Sequence, residues 1–357
     1  MNNTLSDVAL RELQLVIDAI PDALVQAVYT GEVTWVNEAA KQVFPGLKIG
    51  TSILEHLNKD KVRDAVVQLK KTGEVETVEF KWTVGLRRYI LNVRLVPLVA
   101  EDSSKLILFS FQDLTAQRQL DKARADFIAA ASHELRTPLT SLLGFVETMQ
   151  SEAANDPLAR EQFLEIMAQQ GRRMNRLVDD LLSLSKIEMN ESNSPSELVE
   201  VGRIISPIVN SLGPQASSRN KQLVVSGVLE LKCVADLHQM GQVVANLIEN
   251  SIKYAHDNTD IKIDVSAVGD YVRIVIKDIS DGIPAKYIPR LTERFFRVDK
   301  ARSRELGGTG LGLAIVKHII KRHRGRFNIT SRLRMGSEFE VLLPRKETPI
   351  LPKTVNA

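Results

Sequence analysis

Two groups of residues in this sequence have the types and spacing that chemistry requires. The first is His133, which is followed directly by Glu134 and, one helical turn later on the same face, by Thr137. A neighbouring carboxylate can accept the proton from one imidazole nitrogen while the other nitrogen attacks an electrophile. A lone histidine on a helix is most often only solvated, so the nucleophilic interpretation depends on the residues around it.

The second group lies in the last third of the chain and suits a phosphate-rich ligand. Asn246 and Asn250 are spaced to share one face of a helix, and Lys253 and Tyr254 follow one turn later. Carboxamide oxygens suit Mg²⁺, which prefers oxygen ligands, and the lysine suits a phosphate. Taken alone, such an asparagine pair is usually polar surface.

Two further signals follow in the same region. Residues 275–278 have the pattern of a strand that ends at Asp278, and Gly282 follows in a loop. The glycine-rich run 307–313 opens a helix, where glycines let the backbone approach phosphates and the helix N-terminus offers free amides. A glycine-rich run alone is weak evidence, but the three signals in this order favour a nucleotide site.

Two long helices are predicted to carry the histidine. Apolar residues recur at steps of three and four over 128–149 and again over 163–184, which indicates two narrow heptad seams. A polar loop with the helix-breaking Pro157 separates them, and Pro138 is expected to loosen the turn just below the outward-facing His133. One helical hairpin cannot bury both seams, so we expect two copies to pair into a four-helix bundle and form a homodimer.

The flanking regions have a different pattern. Residues 10–115 mix helical and strand patterns, with a hairpin about Gly85, and predict a small α+β domain with a curved antiparallel sheet. Residues 116–190 form the helical hairpin, 197–345 predict an α/β domain with its own core, and 346–357 form a flexible tail. The expected helices of the α/β domain cover 198–212, 237–254 and 311–323, and the expected strands cover 261–268, 271–277, 326–331 and 338–343. The expected fold class is multidomain α+β.

Composition excludes several classes of protein. The chain has 357 residues, of which 44% are apolar and 25% charged, close to globular averages. The net charge of +3 argues against a nucleic-acid-binding protein, and the single Cys233 fits a reducing compartment. The sequence contains neither a signal peptide nor an apolar stretch of the roughly 18 residues that span a bilayer. We therefore expect a cytoplasmic protein.

The stretch 132–138, Ser-His-Glu-Leu-Arg-Thr-Pro, closely resembles the phosphoacceptor box of sensor histidine kinases in two-component systems. The resemblance implies that His133 is autophosphorylated, that Glu134 assists as the base, and that Thr137 positions water when phosphate is removed from a partner. It also implies a response regulator receiver domain as the partner.

The second group of residues resembles the nucleotide-binding boxes of the same kinases, in an α/β sandwich ATP-binding domain of the GHKL type. By that resemblance Asn250 binds Mg²⁺, Asp278 accepts from the adenine amino group, Arg297 meets the triphosphate, and Arg302 and Arg304 belong to the lid. The residues expected at the ATP are Asn246, Asn250, Lys253, Tyr254, Asp278, Gly282, Ile283, Arg297, Gly308, Thr309, Gly310, Leu311, Gly312 and Leu313.

The N-terminal region resembles a PAS sensor domain whose ligand the sequence does not identify. The run 288–323 looks most like the phosphate-regulon subgroup of sensor kinases, whose members usually carry membrane helices. The chain is therefore interpreted either as a soluble relative or as one whose anchor is missing.

One departure from the family pattern leaves an alternative open. Ile279 and Ser280 stand where these kinases usually have asparagine and glycine, and a Cβ at 280 is expected to weaken ATP binding. The main interpretation is a kinase that also dephosphorylates its regulator. The alternative is a kinase-deficient phosphatase or signalling scaffold. A chaperone- or topoisomerase-type ATPase is a third interpretation, but it leaves the stretch 132–138 unexplained.

Overall fold

The computed structural model describes residues 12, 14–99, 104–151, 156–189, 193–299 and 308–346. The chain folds as two compact units, 1–128 and 129–357. The expected lid residues Arg302 and Arg304, and the expected tail beyond residue 346, lie outside the described ranges.

The first unit contains a five-stranded antiparallel sheet, and within the described residues three helices lie between its second and third strands. Its strands are β1 (Ala23–Val28), β2 (Val33–Val36), β3 (Glu76–Val84), β4 (Arg87–Val99) and β5 (Lys105–Asp113). The helices α1 (Glu38–Val43), α2 (Ile53–Leu57) and α3 (Asp60–Thr72) lie between β2 and β3. The strand order is β2-β1-β5-β4-β3, which confirms the expected antiparallel α+β architecture.

An alternation of buried and exposed side chains explains why these segments form a sheet with one face on the core. Along β1, β4 and β5, buried side chains alternate with more exposed ones. Val25 on β1, Val93 on β4 and Phe109 on β5 are fully buried. The hairpin expected about Gly85 is present, because Val84 pairs with Arg87 across a tight turn.

Two long helices follow, α4 (Thr115–Gln150) and α5 (Pro157–Met189). The seam positions Pro138, Leu177 and Leu184 are buried within the single chain. One expectation was wrong: Pro157 does not break a helix but begins one, since the first helical position needs no amide hydrogen bond. Asp156 caps it, and its Oδ1 accepts from the amides of Leu158 at 3.0 Å and Ala159 at 3.1 Å.

Helix α4 is continuous through Pro138. The Thr137 hydroxyl donates to the His133 carbonyl at 3.2 Å, which gives a side-chain partner to a carbonyl in the turn next to the proline. The expected loosening of the helix therefore does not interrupt it.

The last part of the chain forms a two-layer α/β structure. Its helices are α6 (Val201–Ser217), α7 (Leu237–Tyr254) and α8 (Gly312–Arg322). Its strands are β6 (Leu198–Glu200), β7 (Gln222–Gly227), β8 (Lys232–Val234), β9 (Asp260–Val268), β10 (Tyr271–Asp278), β11 (Arg326–Arg332) and β12 (Gly336–Pro344). The main sheet has the order β11-β12-β10-β9-β7, in which only β7 and β9 are parallel. The helices pack against it, as an α/β sandwich requires.

The differences from the sequence-based expectation concern the three short strands β6, β7 and β8, none of which was predicted. Residues 198–200 form β6 rather than the first turn of a helix, because they pair with β8 and bury Val199. Strand β7 has polar ends and no strong alternation, so the sequence pattern does not reveal it.

Candidate active site

A cavity of about 400 Å³ lies beside α7, the end of β10 and the start of α8, within the usual size range for small-molecule sites. All the residues expected at the ATP line it except Leu311, which is fully buried. The structure therefore brings together residues that are far apart in sequence.

Helix α7 places the asparagines through its amphipathic pattern. Asp236 caps its first turn, and its carboxylate accepts from the amides of His238 and Gln239 at 3.1 Å each. One side of the helix buries apolar residues such as Val244 and Leu247. The opposite side presents Asn246, Asn250, Lys253 and Tyr254 to the cavity.

Asp278, the last residue of β10, is 3% exposed and lines the cavity. Its carboxylate accepts from the Ser251 hydroxyl at 3.2 Å and from the Ser337 amide at 3.2 Å. Burial raises the pKa of this carboxyl, while hydrogen bonds from Ser280, Ser251 and Ser337 oppose that rise. The sequence analysis did not identify Ser251 or Ser337, because only the fold brings them to Asp278.

Two glycines of the site are required by contacts of the chain with itself. Gly282 has φ +71°, and a Cβ there would lie 2.1 Å from the Arg332 carbonyl oxygen. Gly310 has φ +76°, and its Cβ would lie 3.0 Å from the Phe295 Cα. Whatever the ligand, Gly282 therefore excludes a side chain by direct contact, and Gly310 disfavours one through its positive φ and a tight contact.

Ser280, by contrast, does not have the left-handed backbone conformation that favours glycine. It is 5% exposed, its hydroxyl bonds Asp278, and the Gly282 amide donates to its oxygen at 3.4 Å. The serine is thus compatible with the backbone of this loop.

Arg297 connects the cavity to the helical hairpin. One of its terminal nitrogens donates to the Glu134 carboxylate at 3.2 Å, and Arg173 on α5 donates to the same oxygen at 3.3 Å. Glu134 is held by two guanidinium groups, one from the hairpin and one from the cavity wall.

His133 and Thr137 lie outside this cavity. Both are exposed and line a shallow depression on α4 together with Ser132, Arg136 and Thr140. The structure therefore places Glu134 at the cavity arginine and leaves the imidazole facing solvent.

The sequence analysis missed three residues of α5 that also line the cavity, Arg176, Asp179 and Asp180. The Thr309 hydroxyl donates to the Asp180 carboxylate at 2.7 Å, and burial raises the pKa of Asp180. In the sequence these residues are ordinary polar positions beside a heptad seam. Only the packing of the α/β domain of residues 197–345, called the ATP-site domain below, against α5 reveals them.

Two buried donors in the cavity wall have no hydrogen-bond partner within the described ranges, Asn246 Nδ2 and Arg297 Nε. A buried donor without a partner costs about 1–3 kcal/mol. A ligand that presents several acceptor oxygens, as a nucleotide triphosphate does, would satisfy such donors. The residues present therefore fit ATP.

Asn250 is the residue expected to bind Mg²⁺, and it lines the same cavity. Among the residues that the structure describes, no group of three or more His, Cys, Asp or Glu side chains is placed to hold a metal ion. Mg²⁺ in nucleotide sites usually takes one or two protein ligands and completes its shell with phosphate oxygens and water. A single carboxamide fits that kind of site.

Two family models match the chain. Residues 123–190 match the His Kinase A (phospho-acceptor) domain, and residues 235–347 match the histidine kinase-, DNA gyrase B- and HSP90-like ATPase. The first range contains His133, and the second contains every residue expected at the ATP.

Similar proteins include two curated sensor proteins. The phosphate regulon sensor protein PhoR of Pseudomonas aeruginosa is 31% identical over 92% of this chain and 74% of its own length. The sensor protein kinase WalK of Staphylococcus saprophyticus is 32% identical over 94% of this chain but only 55% of its own length. Among solved structures, the histidine kinase AdeS of Acinetobacter baumannii is 24% identical with a TM-score of 0.49, over 60% of this chain and 98% of that one.

No helix within the described ranges is long and apolar enough to cross a membrane.

Proposed function

Because this chain belongs to the sensor histidine kinases of two-component systems, we propose that it phosphorylates its own His133 from ATP and passes the phosphoryl group to an aspartate of a response regulator. The chain is an ATP-dependent histidine kinase, and its similarity to PhoR agrees with the predicted phosphate-regulon subgroup. The observation that best supports the residue assignment is the ion pair between Glu134, next to the phosphoacceptor, and Arg297 of the cavity.

In this proposal the cavity residues hold and orient the nucleotide. Asp278 accepts from the adenine amino group, and the glycine loop 308–313 and Lys253 lie at the phosphates. Arg297 Nε, which is buried and has no partner among the residues that the structure describes, donates to a phosphate oxygen. Asn250 contributes a ligand to Mg²⁺, which when bound neutralises charge on the phosphates.

The chemical step is assigned to His133 and Glu134. One imidazole nitrogen attacks the γ-phosphorus, a nitrogen–phosphorus bond forms, the bond to the β–γ bridging oxygen breaks, and ADP leaves. Glu134 accepts the proton from the other imidazole nitrogen, and its contacts with Arg173 and Arg297 fix the position of its carboxylate. Because the imidazole faces solvent, the transfer also requires the ring and the cavity to approach each other.

The exposed face of α4 supports the second half of the proposal. His133 and Thr137 line one open depression, where a receiver domain can reach the phosphohistidine. Thr137 would orient the water that removes phosphate from the regulator. The homodimer, the PAS assignment of the first unit and the cytoplasmic location stay predictions.

The kinase-deficient alternative depended on Ser280. Its backbone conformation does not favour glycine, and its hydroxyl bonds Asp278. The backbone at position 280 therefore does not require glycine, whereas the effect of Ile279 and of the Ser280 Cβ on ATP affinity stays a prediction.

A chase experiment tests the proposed transfer. Protein labelled from γ-labelled ATP is freed of nucleotide and mixed with a panel of purified receiver domains. We expect the label to move to one receiver domain and then to be lost as phosphate. Thr137→Ala should slow the loss from the receiver domain without slowing the transfer, and Thr137→Ser, which keeps the hydroxyl, should restore it. A phosphoprotein that loses label to none of the receivers would contradict the proposal.

A further inference from the structure

One face of α5 meets the ATP-site domain through polar contacts spaced along the helix. Arg173, midway along the helix, donates to Glu134 on α4, whose carboxylate also accepts from Arg297 of the ATP-site domain. Asp180 accepts from Thr309, and Ser183 and Gln242 are joined at 3.1 Å. These contacts recur at the spacing of helical turns, so this face is the one that the phosphotransfer hairpin presents to the nucleotide domain.

Arg176 lies on this face between Arg173 and Asp180, and it lines the cavity. In the part of the chain that the structure describes, its guanidinium makes no hydrogen bond and no ion pair, although its charge reaches Asp180. An exposed arginine is usually just solvated. This one, however, opens into a cavity whose wall already carries Lys253 and Arg297.

The position of Arg176 indicates which part of the ligand it faces. Asp180, one turn further on α5, holds the hydroxyl of Thr309 in the glycine loop, and Lys253 is also close enough to act on the Asp180 charge. Arg176 therefore enters the cavity beside the glycine loop, from the wall that helix α5 of the hairpin supplies.

We infer that Arg176 binds the γ-phosphate of ATP as a phosphate-binding arginine supplied by the phosphotransfer hairpin. This inference rests on the proposed function. Arginine presents a planar set of donors that matches phosphate oxygens. A cation on the hairpin side stabilises charge on the phosphoryl group while the bond to ADP breaks and the bond to His133 forms. One terminal nitrogen of Arg297 is already bonded to Glu134, so a second arginine would add donors that Arg297 does not offer.

Binding measured for two nucleotides tests this directly. Calorimetry of the full chain with Mg²⁺ compares ADP with a non-hydrolysable ATP analogue, which differ in the γ-phosphate. Arg176→Gln should weaken binding of the ATP analogue by about 10-fold or more, the value of a charge-assisted hydrogen bond. The affinity for ADP should stay within about 2-fold of wild type. Arg176→Lys should recover part of the loss, and the rate of His133 labelling at saturating ATP should fall in Arg176→Gln. The matched control is Arg172→Gln, an exposed arginine on the same helix that does not line the cavity.

Three results would overturn the inference: unchanged affinity for the analogue, equal weakening of ADP and analogue, or disappearance of the effect in an Asp180→Asn background. The last would mean that Arg176 acts only by neutralising Asp180. If wild type labels no histidine, the proposed kinase function fails, but the difference between ADP and the analogue still decides the role of Arg176.

Discussion

At the scale of single residues, the site depends on how buried polar groups are satisfied. Asp278 carries hydrogen bonds from three serines, Ser251, Ser280 and Ser337, and each stabilises the carboxylate form against burial. Ser280 therefore belongs to the hydrogen-bond partners of Asp278, the residue proposed to accept from the adenine amino group.

Replacing Ser280 by glycine is expected to give no gain in ATP affinity. The glycine removes a hydrogen bond to Asp278 and relieves no backbone strain, so calorimetry with Mg²⁺ and the ATP analogue should show unchanged binding or a loss of up to about 10-fold. Ser280→Ala, which keeps the Cβ, separates the two contributions. A sharp increase in affinity for Ser280→Gly would revive the kinase-deficient alternative.

At the scale of elements, the loop after β10 and the turn before β12 pack backbone against backbone. Gly282 lies against the Arg332 backbone, and Gly336 against that of Asp278, where a Cβ would lie 2.0 Å from its carbonyl oxygen. These contacts fix the end of β10, and with it Asp278, in the cavity wall.

Gly282→Ala should therefore destabilise the ATP-site domain far more than Gly269→Ala. Both glycines have positive φ, but nothing lies within 4 Å of the Cβ position at Gly269. The shared cost of placing an L-residue at positive φ is about 1–2 kcal/mol, and only Gly282→Ala adds a clash with backbone. Hydrogen exchange of α7 and β10 peptides measures the difference, and tryptophan fluorescence, which reports only the first unit, is the internal control. Equal protection in the two variants would refute this account of the loop.

His323 links two helices and makes the stability of this domain depend on pH. Its Nε2 accepts from the Asp236 amide at 3.0 Å, and its Nδ1 lies 2.8 Å from the Ile319 carbonyl, so the ring is neutral with a proton on Nδ1. Burial lowers the pKa of His323 below its ordinary value near 6.5. The unfolded chain thus takes up a proton first as pH falls.

The contribution of His323 is fully present above about pH 6.5 and is lost as pH falls toward the lowered folded-state pKa. Hydrogen exchange of α8, measured between pH 5 and 7.5 and corrected for intrinsic rates, should show wild type losing its advantage over His323→Gln as pH drops. That advantage is expected to be about 1–3 kcal/mol at neutral pH. An advantage that does not change with pH would contradict this assignment.

The elements that could be predicted were those with strong local signals. Helix α7 agrees with the predicted range because Asp236 caps it and its apolar side is regular, and the strands β9 and β10 follow from alternation. Residues 198–200 were misassigned because three residues carry too little pattern. The place of Arg176 and Asp180 in the cavity could not be predicted, since it depends on which face of α5 meets the ATP-site domain.

At the scale of the whole molecule, the helical hairpin of a single chain leaves large apolar side chains exposed to solvent. Leu139, Leu143, Leu164 and Leu182 are each about half exposed or more, although they flank the heptad seams. In a symmetric dimer each chain would cover these residues of the other chain, so the same patch would be buried on both copies. This agrees with the predicted homodimer.

Leu143→Glu should convert the dimer to a monomer. Sedimentation at micromolar concentration is expected to give twice the chain mass for wild type and one chain mass for the variant, because two charges would be buried at the interface. Leu86→Glu, at a fully exposed turn of the first unit, should remain dimeric. A monomeric wild type would refute the predicted bundle.

The most direct test of the account is labelling of the full chain with γ-labelled ATP and Mg²⁺, comparing wild type with His133→Gln. The account predicts acid-labile, base-stable label on wild type, none on His133→Gln, and full label on His238→Gln, which removes an exposed histidine of α7. Label that persists in His133→Gln, or wild type that binds ATP but takes up no label, would contradict it.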